Sequence, residues 1–204
     1  MNRKYIVFIF VLALILGIYF FIPRKQDIKN YPPRNAMIVA FGDSLVVGYG
    51  ATQDRGFVSL LAEKLGRQII NLGVSGETSS DGLSRVQDVL DRSPGTVILL
   101  FGGNDYLKKV PKAQTFQNLR NIISRLQLRG VMVVLLGVRG GILSDHYEDE
   151  YAKLAQETGA VYVSDVLDGL FAHKEYMSDE VHPNDAGYAI IADRVFRAMK
   201  GYIQ

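Results

Sequence analysis

The sequence predicts an α/β fold in which helices cover both faces of a parallel β-sheet, a doubly wound three-layer sandwich. Two observations lead to this fold class. Short, continuous apolar runs rich in β-branched residues recur from residue 36 onward, and segments with apolar residues at helical spacing separate them. Continuous apolar runs are typical of strands buried on both faces, as in a parallel sheet. Strands that alternate with helices form layered sheets with right-handed crossovers.

Five strands are predicted, over residues 37–41, 68–72, 96–101, 131–136 and, from a weaker run, 160–163. Helices are expected between them wherever apolar residues follow a period of 3.6. These helical segments are 57–65, 83–90, 116–126, 147–158 and 186–199. Because ligands bind beyond the carboxyl ends of the strands in open α/β sheets, the residues that follow each strand are the expected place for chemistry.

An apolar segment precedes this domain. Residues 5–22 form an uninterrupted run of 18 residues between Arg3-Lys4 and Pro23-Arg24-Lys25. The run is close to the ~20 residues that a spanning helix needs, and its bulky end lacks the small residues of a signal-peptidase site. Residues 1–22 are therefore expected to form one N-terminal transmembrane helix that holds the protein in a membrane. A cleaved signal peptide and a buried core helix are the alternatives.

The orientation of that segment is less clearly indicated, because Lys and Arg flank both of its ends and the positive-inside rule does not decide. A very short N-terminal tail ahead of a whole domain favours a domain outside the cytoplasm. Residues 23–35, with three prolines, are expected to be a stiff, charged linker with no fold of its own. Residues 36–204 then form the single folded domain.

Composition excludes several classes of function. Twenty-three Lys and Arg against 21 Asp and Glu give no reason to expect a nucleic-acid partner. The chain has no cysteine, which excludes disulfides, thiolate zinc sites and lipid attachment through an N-terminal Cys. The absence of cysteine is compatible with the cytoplasm and with export, so it fixes no compartment.

The first predicted strand leads into Gly42-Asp43-Ser44-Leu45. A serine hydroxyl at the mouth of the sheet, near a helix N-terminus, lies where local amides favour developing negative charge. Ser44 is therefore a candidate nucleophile. Alone, the segment is equally compatible with a serine that only caps a helix.

The second and third strands lead into glycine-rich turns, one containing Gly73 and Gly76 and the other Gly102-Gly103-Asn104-Asp105. Glycines bring bare backbone close to the strand mouths, and Asn104 supplies a side-chain NH₂ donor. Each turn alone is also typical of an ordinary left-handed turn.

The last loop contains Asp179-Glu180-Val181-His182-Pro183. A serine nucleophile needs a histidine to accept its proton and a carboxylate to orient the imidazole. Asp179, three residues before His182, can reach the imidazole within the same loop. His146 and His173 lack a comparable neighbourhood and are interpreted as surface residues.

Together these four segments resemble the blocks of the SGNH hydrolases, also called GDSL esterases and lipases. The resemblance spans about residues 37–200. It implies a flavodoxin-like α/β/α sandwich with a five-stranded parallel sheet and a catalytic triad of Ser44, His182 and Asp179. It also implies an oxyanion hole formed by the Ser44 and Gly73 amides and the Asn104 side chain, with no metal and no organic cofactor.

The segment 76–79 after the second block makes the chain most similar to the bacterial thioesterase, lysophospholipase and arylesterase branch. The expected reaction is hydrolysis of carboxylic esters or thioesters through an acyl-enzyme. Deacetylation of an envelope polysaccharide and a non-catalytic, membrane-anchored binding role are the alternatives. Residues 140–143 are expected either to form one wall of an acyl groove or to be a plain connection. Acyl chain length and oligomeric state stay open.

Overall fold

The computed structural model describes residues 27–138 and 147–203. Within them, five strands form one parallel sheet in the order β2-β1-β3-β4-β5. The strands are β1 (Ile38–Gly42), β2 (Ile69–Gly73), β3 (Thr96–Leu100), β4 (Met132–Leu136) and β5 (Val161–Val163). The predicted three-layer α/β sandwich with a five-stranded parallel sheet is confirmed.

The helices alternate with the strands. Their bounds are α1 (Ser44–Val47), α2 (Phe57–Leu65), α3 (Ser79–Ser84), α4 (Val86–Leu90), α5 (Gly103–Leu107), α6 (Lys112–Leu128), α7 (Tyr147–Thr158) and α8 (Asp185–Met199), with a 3₁₀ turn at Lys174–Tyr176. The single helix predicted over 83–90 is two short helices, since α3 ends at Ser84 and α4 begins at Val86.

Two apolar cores lie on opposite faces of the sheet, because alternate residues of each strand point to opposite sides. One core packs α2 and α8 against Ile38, Ala40 and Ile98. The other packs α4, α6 and α7 against Val39, Phe41 and Val97. This arrangement explains why β1, β3 and β4 read as continuous apolar runs. Strand β2 lies at the edge of the sheet and is less deeply buried, with Ile69 in the first core and Ile70 and Leu72 partly buried against the second.

The amino ends of the five strands lie together at one end of the sheet, called the amino edge below, and residues 27–35 dock there. Lys29 N–H donates to the Gly159 carbonyl, and the Asn30 amide donates to the carbonyls of Gln127 and Val131. The Asn35 amide donates to the Ser93 carbonyl. Residues 27–35, expected to be a linker with no fold of its own, therefore dock on the domain through side-chain amides that satisfy its backbone carbonyls.

The predicted transmembrane segment 5–22 lies outside the described residues, as do residues 140–143 and His146. In the part of the chain that the structure describes, no helix combines the length and the apolar character needed to cross a bilayer.

Candidate active site

Ser44 lies at the carboxyl end of β1, as the first residue of α1. The cap of this helix is Asp43, whose Oδ1 accepts a hydrogen bond from Leu45 N–H at 3.0 Å. The alternative interpretation of Ser44 as a helix cap is therefore wrong. Because Asp43 fills that position, the Ser44 hydroxyl is available for another partner.

That partner is His182. The His182 Nε2 lies 3.0 Å from the Ser44 Oγ, across 138 residues of sequence. The opposite ring nitrogen, Nδ1, lies 2.8 Å from the Asp179 Oδ2. The structure thus brings the three residues predicted to form a triad into one continuous hydrogen-bonded chain.

The loop that carries Asp179 and His182 is tied to itself. The Asp179 Oδ1 accepts hydrogen bonds from the N–H groups of Val181 and His182, both at 2.8 Å. Burial raises the pKa of Asp179, but the hydrogen bonds from the Val181 N–H and from the ring and N–H of His182 outweigh it and hold that pKa below its ordinary value. An ionised carboxylate is therefore favoured next to the imidazole.

Tyr49 is a neighbour of the imidazole that the sequence reasoning missed. Its ring lies 4.6 Å from the His182 ring, centroid to centroid. The Tyr188 hydroxyl donates to the Tyr49 carbonyl at 2.7 Å, which fixes the segment after α1 against α8. Only the contact between these distant segments reveals the pairing, so no local sequence signal could have found it.

Asn104 lies in the first turn of α5, beyond the end of β3. Its Nδ2 donates to the Glu77 carbonyl at 2.9 Å and is 3.5 Å from the Asp43 Oδ2. The side chain therefore lies between the turn after β2 and the residue that precedes the nucleophile, and it lines the same cavity as Ser44 and His182.

Gly73, the predicted backbone donor, is placed differently from that expectation. Its N–H donates to the Asn71 Oδ1 at 2.9 Å, so the group already has an acceptor. A Cβ at this position would lie 2.5 Å from the Val47 nitrogen, so this glycine allows β2 to pack against α1. Gly73 thus has a packing role that needs a residue without a side chain.

Gly76, three residues further along the same turn, has the open geometry that Gly73 lacks. Its φ is +81°, a conformation in which side chains are strained. No atom lies within 4 Å of the position that a Cβ would take. The adjacent carbonyl, that of Glu77, is the one that accepts from Asn104. The sequence motif contained both glycines, and only the hydrogen bonding separates their roles.

A largely buried ion pair fixes this turn, and the sequence reasoning missed it. The Arg85 guanidinium contacts the Glu77 carboxylate at 2.5 Å and donates to the Leu72 carbonyl at 2.9 Å and the Gly42 carbonyl at 3.4 Å. It also lies 4.5 Å above the Phe41 ring. Arg85 therefore links the ends of β1 and β2 to the turn that Asn104 contacts.

Asp43 is a buried carboxyl beside the nucleophile, only 2% exposed. Burial raises the pKa of Asp43 to about 7, opposed by the hydrogen bond from Leu45 and reinforced by the negative charges of Asp105 and Glu77. Asp105 is also buried, and it accepts hydrogen bonds from the N–H and hydroxyl of Ser79. The floor of the site is thus built from carboxyl groups held away from water.

The cavity above Ser44 has a volume of about 110 Å³ and is walled mainly by apolar side chains. A second, larger cleft of about 650 Å³ lies beside it, and the two share Phe171 and Val181. The polar residues that line the first cavity are Asp43, Ser44, Asn104 and His182. Its apolar walls are Leu45, Leu107, Val138, Leu167, Phe171 and Val181.

In residues 27–138 and 147–203, no cluster of three or more His, Cys, Asp or Glu side chains is arranged to hold a metal ion. The donors around Ser44 are one imidazole, one side-chain amide and carboxyl groups that already accept hydrogen bonds.

A sequence profile of the GDSL-like Lipase/Acylhydrolase family matches residues 40–190. The chain belongs to this family. The expected SGNH resemblance is therefore confirmed. Among curated relatives, an arylesterase from Vibrio mimicus is 31% identical over 78% of this chain and 85% of its own. Esterase TesA from Pseudomonas aeruginosa is 27% identical over 80% and 87% of the two chains. A thioesterase 1/protease 1/lysophospholipase L1 from Escherichia coli K12 is 28% identical over 76% and 79%.

Solved structures give the same result for this GDSL-family chain. A crystal structure of TesA superposes with a TM-score of 0.75 at 27% identity and covers 81% of this chain and 99% of its own. The psychrotrophic esterase EstA from Pseudoalteromonas sp., inhibited by monoethylphosphonate, superposes with a TM-score of 0.74 at 26% identity, covering 82% and 98%.

Proposed function

We propose that Ser44, His182 and Asp179 form the catalytic triad of a carboxylic-ester hydrolase. Membership of the GDSL-like family and the relatives named as esterases support the reaction class. The observation that supports the residue roles is the unbroken hydrogen-bonded chain, 2.8 Å from Asp179 to His182 and 3.0 Å from His182 to Ser44. A non-catalytic binding role is disfavoured, because binding alone does not require hydrogen bonds that link a carboxylate, an imidazole and a serine hydroxyl.

The proposed reaction has two halves. His182 Nε2 accepts the Ser44 proton as the Oγ attacks the ester or thioester carbonyl, and the leaving alcohol or thiol takes that proton when the tetrahedral intermediate collapses. A water molecule then gives its proton to His182 and attacks the acyl-enzyme, which releases the acid and restores Ser44. Asp179 holds the imidazole and stabilises its charged form.

Three donors are proposed to stabilise the oxyanion. The Ser44 N–H lies in the first turn of α1, where amides lack intrahelical acceptors, and Asn104 faces the same cavity. For the third donor we propose the Gly76 N–H in place of that of Gly73, because the latter donates to Asn71. Loss of one such donor typically lowers the rate by ~10²–10³.

The proposed substrates are esters or thioesters with an apolar acyl or aryl group. The apolar walls of the cavity above Ser44 support this choice over an acetylated sugar, which would need polar partners. The relatives' names, arylesterase and thioesterase/lysophospholipase, agree with such a range. A panel of p-nitrophenyl esters of increasing chain length tests it: activity restricted to the acetyl ester would favour the deacetylase alternative.

We also propose that residues 5–22 anchor the chain in a membrane, with the catalytic domain outside the cytoplasm. The apolar length of this segment and its bulky end support the anchor. The full-length protein should sediment with membranes, resist carbonate extraction and have the mass of the uncut chain. A shortened N-terminus on a protein released from membranes would replace the anchor with a cleaved signal.

Replacement of the nucleophile tests the enzymatic proposal. Ser44→Ala should lower kcat/KM for p-nitrophenyl butyrate by ~10⁴ or more, because the attacking oxygen is lost. Ser124→Ala, at an exposed position on α6, is the matched control and should leave the rate unchanged. Retention of more than a few per cent of activity by Ser44→Ala would refute Ser44 as the nucleophile.

A further inference from the structure

The active site and the point where the chain enters the domain lie at opposite edges of the sheet. Residues 27–35 contact Ser93, Gln127, Val131 and Gly159, all of which precede strands. Ser44, Asn104 and the loop of His182 lie beyond the carboxyl ends of strands. Five-residue strands separate the two edges by ~16 Å before any loop is added.

The two edges differ in charge. The amino edge, defined as residues 27–37, 66–68, 91–95, 125–131, 157–160 and 197–203, contains eight basic and three acidic residues. The basic residues are Lys29, Arg34, Arg67, Arg92, Arg125, Arg129, Arg197 and Lys200; the acidic ones are Asp27, Asp91 and Glu157. Most of these basic side chains are exposed. Such an edge is attracted to an anionic lipid surface.

The carboxyl edge, defined as residues 42–56, 73–78, 101–112 and 164–185, contains ten acidic and five basic residues. The acidic residues are Asp43, Asp54, Glu77, Asp105, Asp165, Asp168, Glu175, Asp179, Glu180 and Asp185; the basic ones are Arg55, Lys108, Lys109, Lys112 and Lys174. Asp43, Asp105 and Asp165 are buried and Glu77 pairs with Arg85, so the remaining charges of this edge nearly balance. An anionic bilayer therefore attracts the amino edge more strongly than the carboxyl edge, although the whole chain has a net charge of only +2.

The length of chain between the predicted membrane span and the domain is too short to let the domain turn over. Four residues, 23–26, separate Ile22 from the first described residue, Asp27. At full extension they reach ~14 Å. A domain of this size has a radius of gyration of roughly 16 Å and is thus roughly 40 Å across. To press the carboxyl edge onto the bilayer, the tether would have to span most of that width.

We infer that the amino edge faces the anionic bilayer that holds the anchor and that the active site faces away from it. The inference rests on the proposed anchor and esterase activity. This orientation restricts the substrates to esters that reach the active site from the aqueous phase, either as monomers or in a separate amphiphile assembly. Ester lipids within the anchoring bilayer are not substrates.

Single cysteine labels test the orientation, because the chain contains no cysteine of its own. Leu128→Cys and Leu107→Cys are matched positions, each the last residue of a helix, 79% and 58% exposed, at the amino and carboxyl edges respectively. The full-length protein, labelled with a fluorophore, is placed in phosphatidylcholine/phosphatidylglycerol vesicles that carry nitroxide-labelled headgroups. The fluorescence of the label at 128 should fall, whereas the fluorescence of the label at 107 should equal its value in vesicles without nitroxide.

Equal or stronger quenching at 107 would overturn the inference, and so would the absence of quenching at both positions. Flotation with the vesicles and hydrolysis of p-nitrophenyl butyrate by the Leu128→Cys protein are measured in parallel. A protein that does not float with the vesicles would refute the proposed anchor, and one that does not hydrolyse the ester would refute the proposed esterase activity. Either result would also refute this inference, and each can be told apart from the quenching result.

The length of the tether tests the substrate claim. A flexible Gly/Ser insert of about 60 residues after Gln26 reaches roughly 40 Å, and a helical insert of equal length is the stiff control. The substrate is a long-chain fluorogenic ester lipid that the enzyme hydrolyses in detergent micelles. In the enzyme's own vesicles, the flexible insert should raise the rate by about tenfold or more over the native chain, since the site can then reach the bilayer. If the native chain hydrolyses the lipid in its own vesicles as fast as the protein with the flexible insert does, the claim is contradicted.

Discussion

The amino and carboxyl edges of the sheet differ in how their polar and apolar groups are arranged. At the amino edge, the side-chain amides of Asn30 and Asn35 donate to backbone carbonyls, which ties the entering chain to the domain. At the carboxyl edge, the carboxyl groups of Asp43 and Asp105 are buried, and apolar side chains face solvent. Of the nine exposed large hydrophobic residues in the part of the chain that the structure describes, six lie at this edge: Val47, Tyr49, Val74, Tyr106, Leu107 and Val181. One edge is arranged for stability, and the other keeps costly features that a binding site uses.

After the nucleophile itself, the largest effect is expected at Asn104. Asn104→Ala should lower kcat for p-nitrophenyl butyrate by ~10²–10³ with a smaller change in KM, because an oxyanion donor acts mainly in the transition state. Steady-state kinetics measure it, with the urea midpoint as a control for folding. A KM effect with unchanged kcat would assign Asn104 to substrate binding instead.

Ionisation of Asp43 should lower the free energy of unfolding of the protein as pH rises. Because burial raises its pKa to about 7, the folded protein holds a proton that the unfolded chain releases near pH 4. The stability associated with this proton is present below pH 4 and is lost as pH rises to 7. Between pH 5 and pH 8 the loss amounts to about 2–3 kcal/mol at most.

Asp43→Asn removes this titration while keeping a side-chain oxygen for the helix cap. Urea unfolding of both proteins at pH 5 and pH 8 should show the wild type losing more stability than the variant. Parallel pH dependences would show that Asp43 does not titrate in this range.

Arg85 should affect catalysis through the turn that contacts Asn104. Arg85→Ala should lower kcat by about tenfold, since the Glu77 carboxylate loses its partner and the carbonyl that Asn104 contacts is no longer held. Arg85→Lys keeps the charge and should recover part of the rate. A purely structural role would instead lower the fraction of active enzyme, measured by titration with a fluorophosphonate, and leave kcat per active site unchanged.

The smallest effect is expected at the amino edge. Asn30→Ala removes two hydrogen bonds to the domain and should reduce the free energy of unfolding by about 1 kcal/mol. It should not change kcat, because no catalytic group lies at that edge. A fall in kcat comparable to that of Arg85→Ala would show that the two edges are coupled.

The same contrast explains what could be predicted from the sequence. The strands and the triad were predictable, because continuous apolar runs report burial on both faces and the triad residues follow strand ends or share one loop. The position of β2 at the edge of the sheet and the docking of 27–35 were not predictable, since both depend on which element lies beside which. Gly73 and Gly76 have the same local signal, and only the hydrogen bond from Gly73 to Asn71 separates them. Arg85 and Tyr49 act through contacts that no spacing reports.

The most direct test of the central claim is the site of covalent labelling by a fluorophosphonate. The Oγ of a serine whose proton an imidazole can accept attacks phosphorus, and among the residues that the structure describes only Ser44 has a histidine nitrogen within hydrogen-bond distance of its hydroxyl. Intact mass should show one adduct per chain, and peptide mapping should place it on Ser44. Asp179→Asn should slow the labelling, and Ser44→Ala should abolish it. An adduct on any other serine, or undiminished labelling of Ser44→Ala, would contradict a nucleophile at the end of β1.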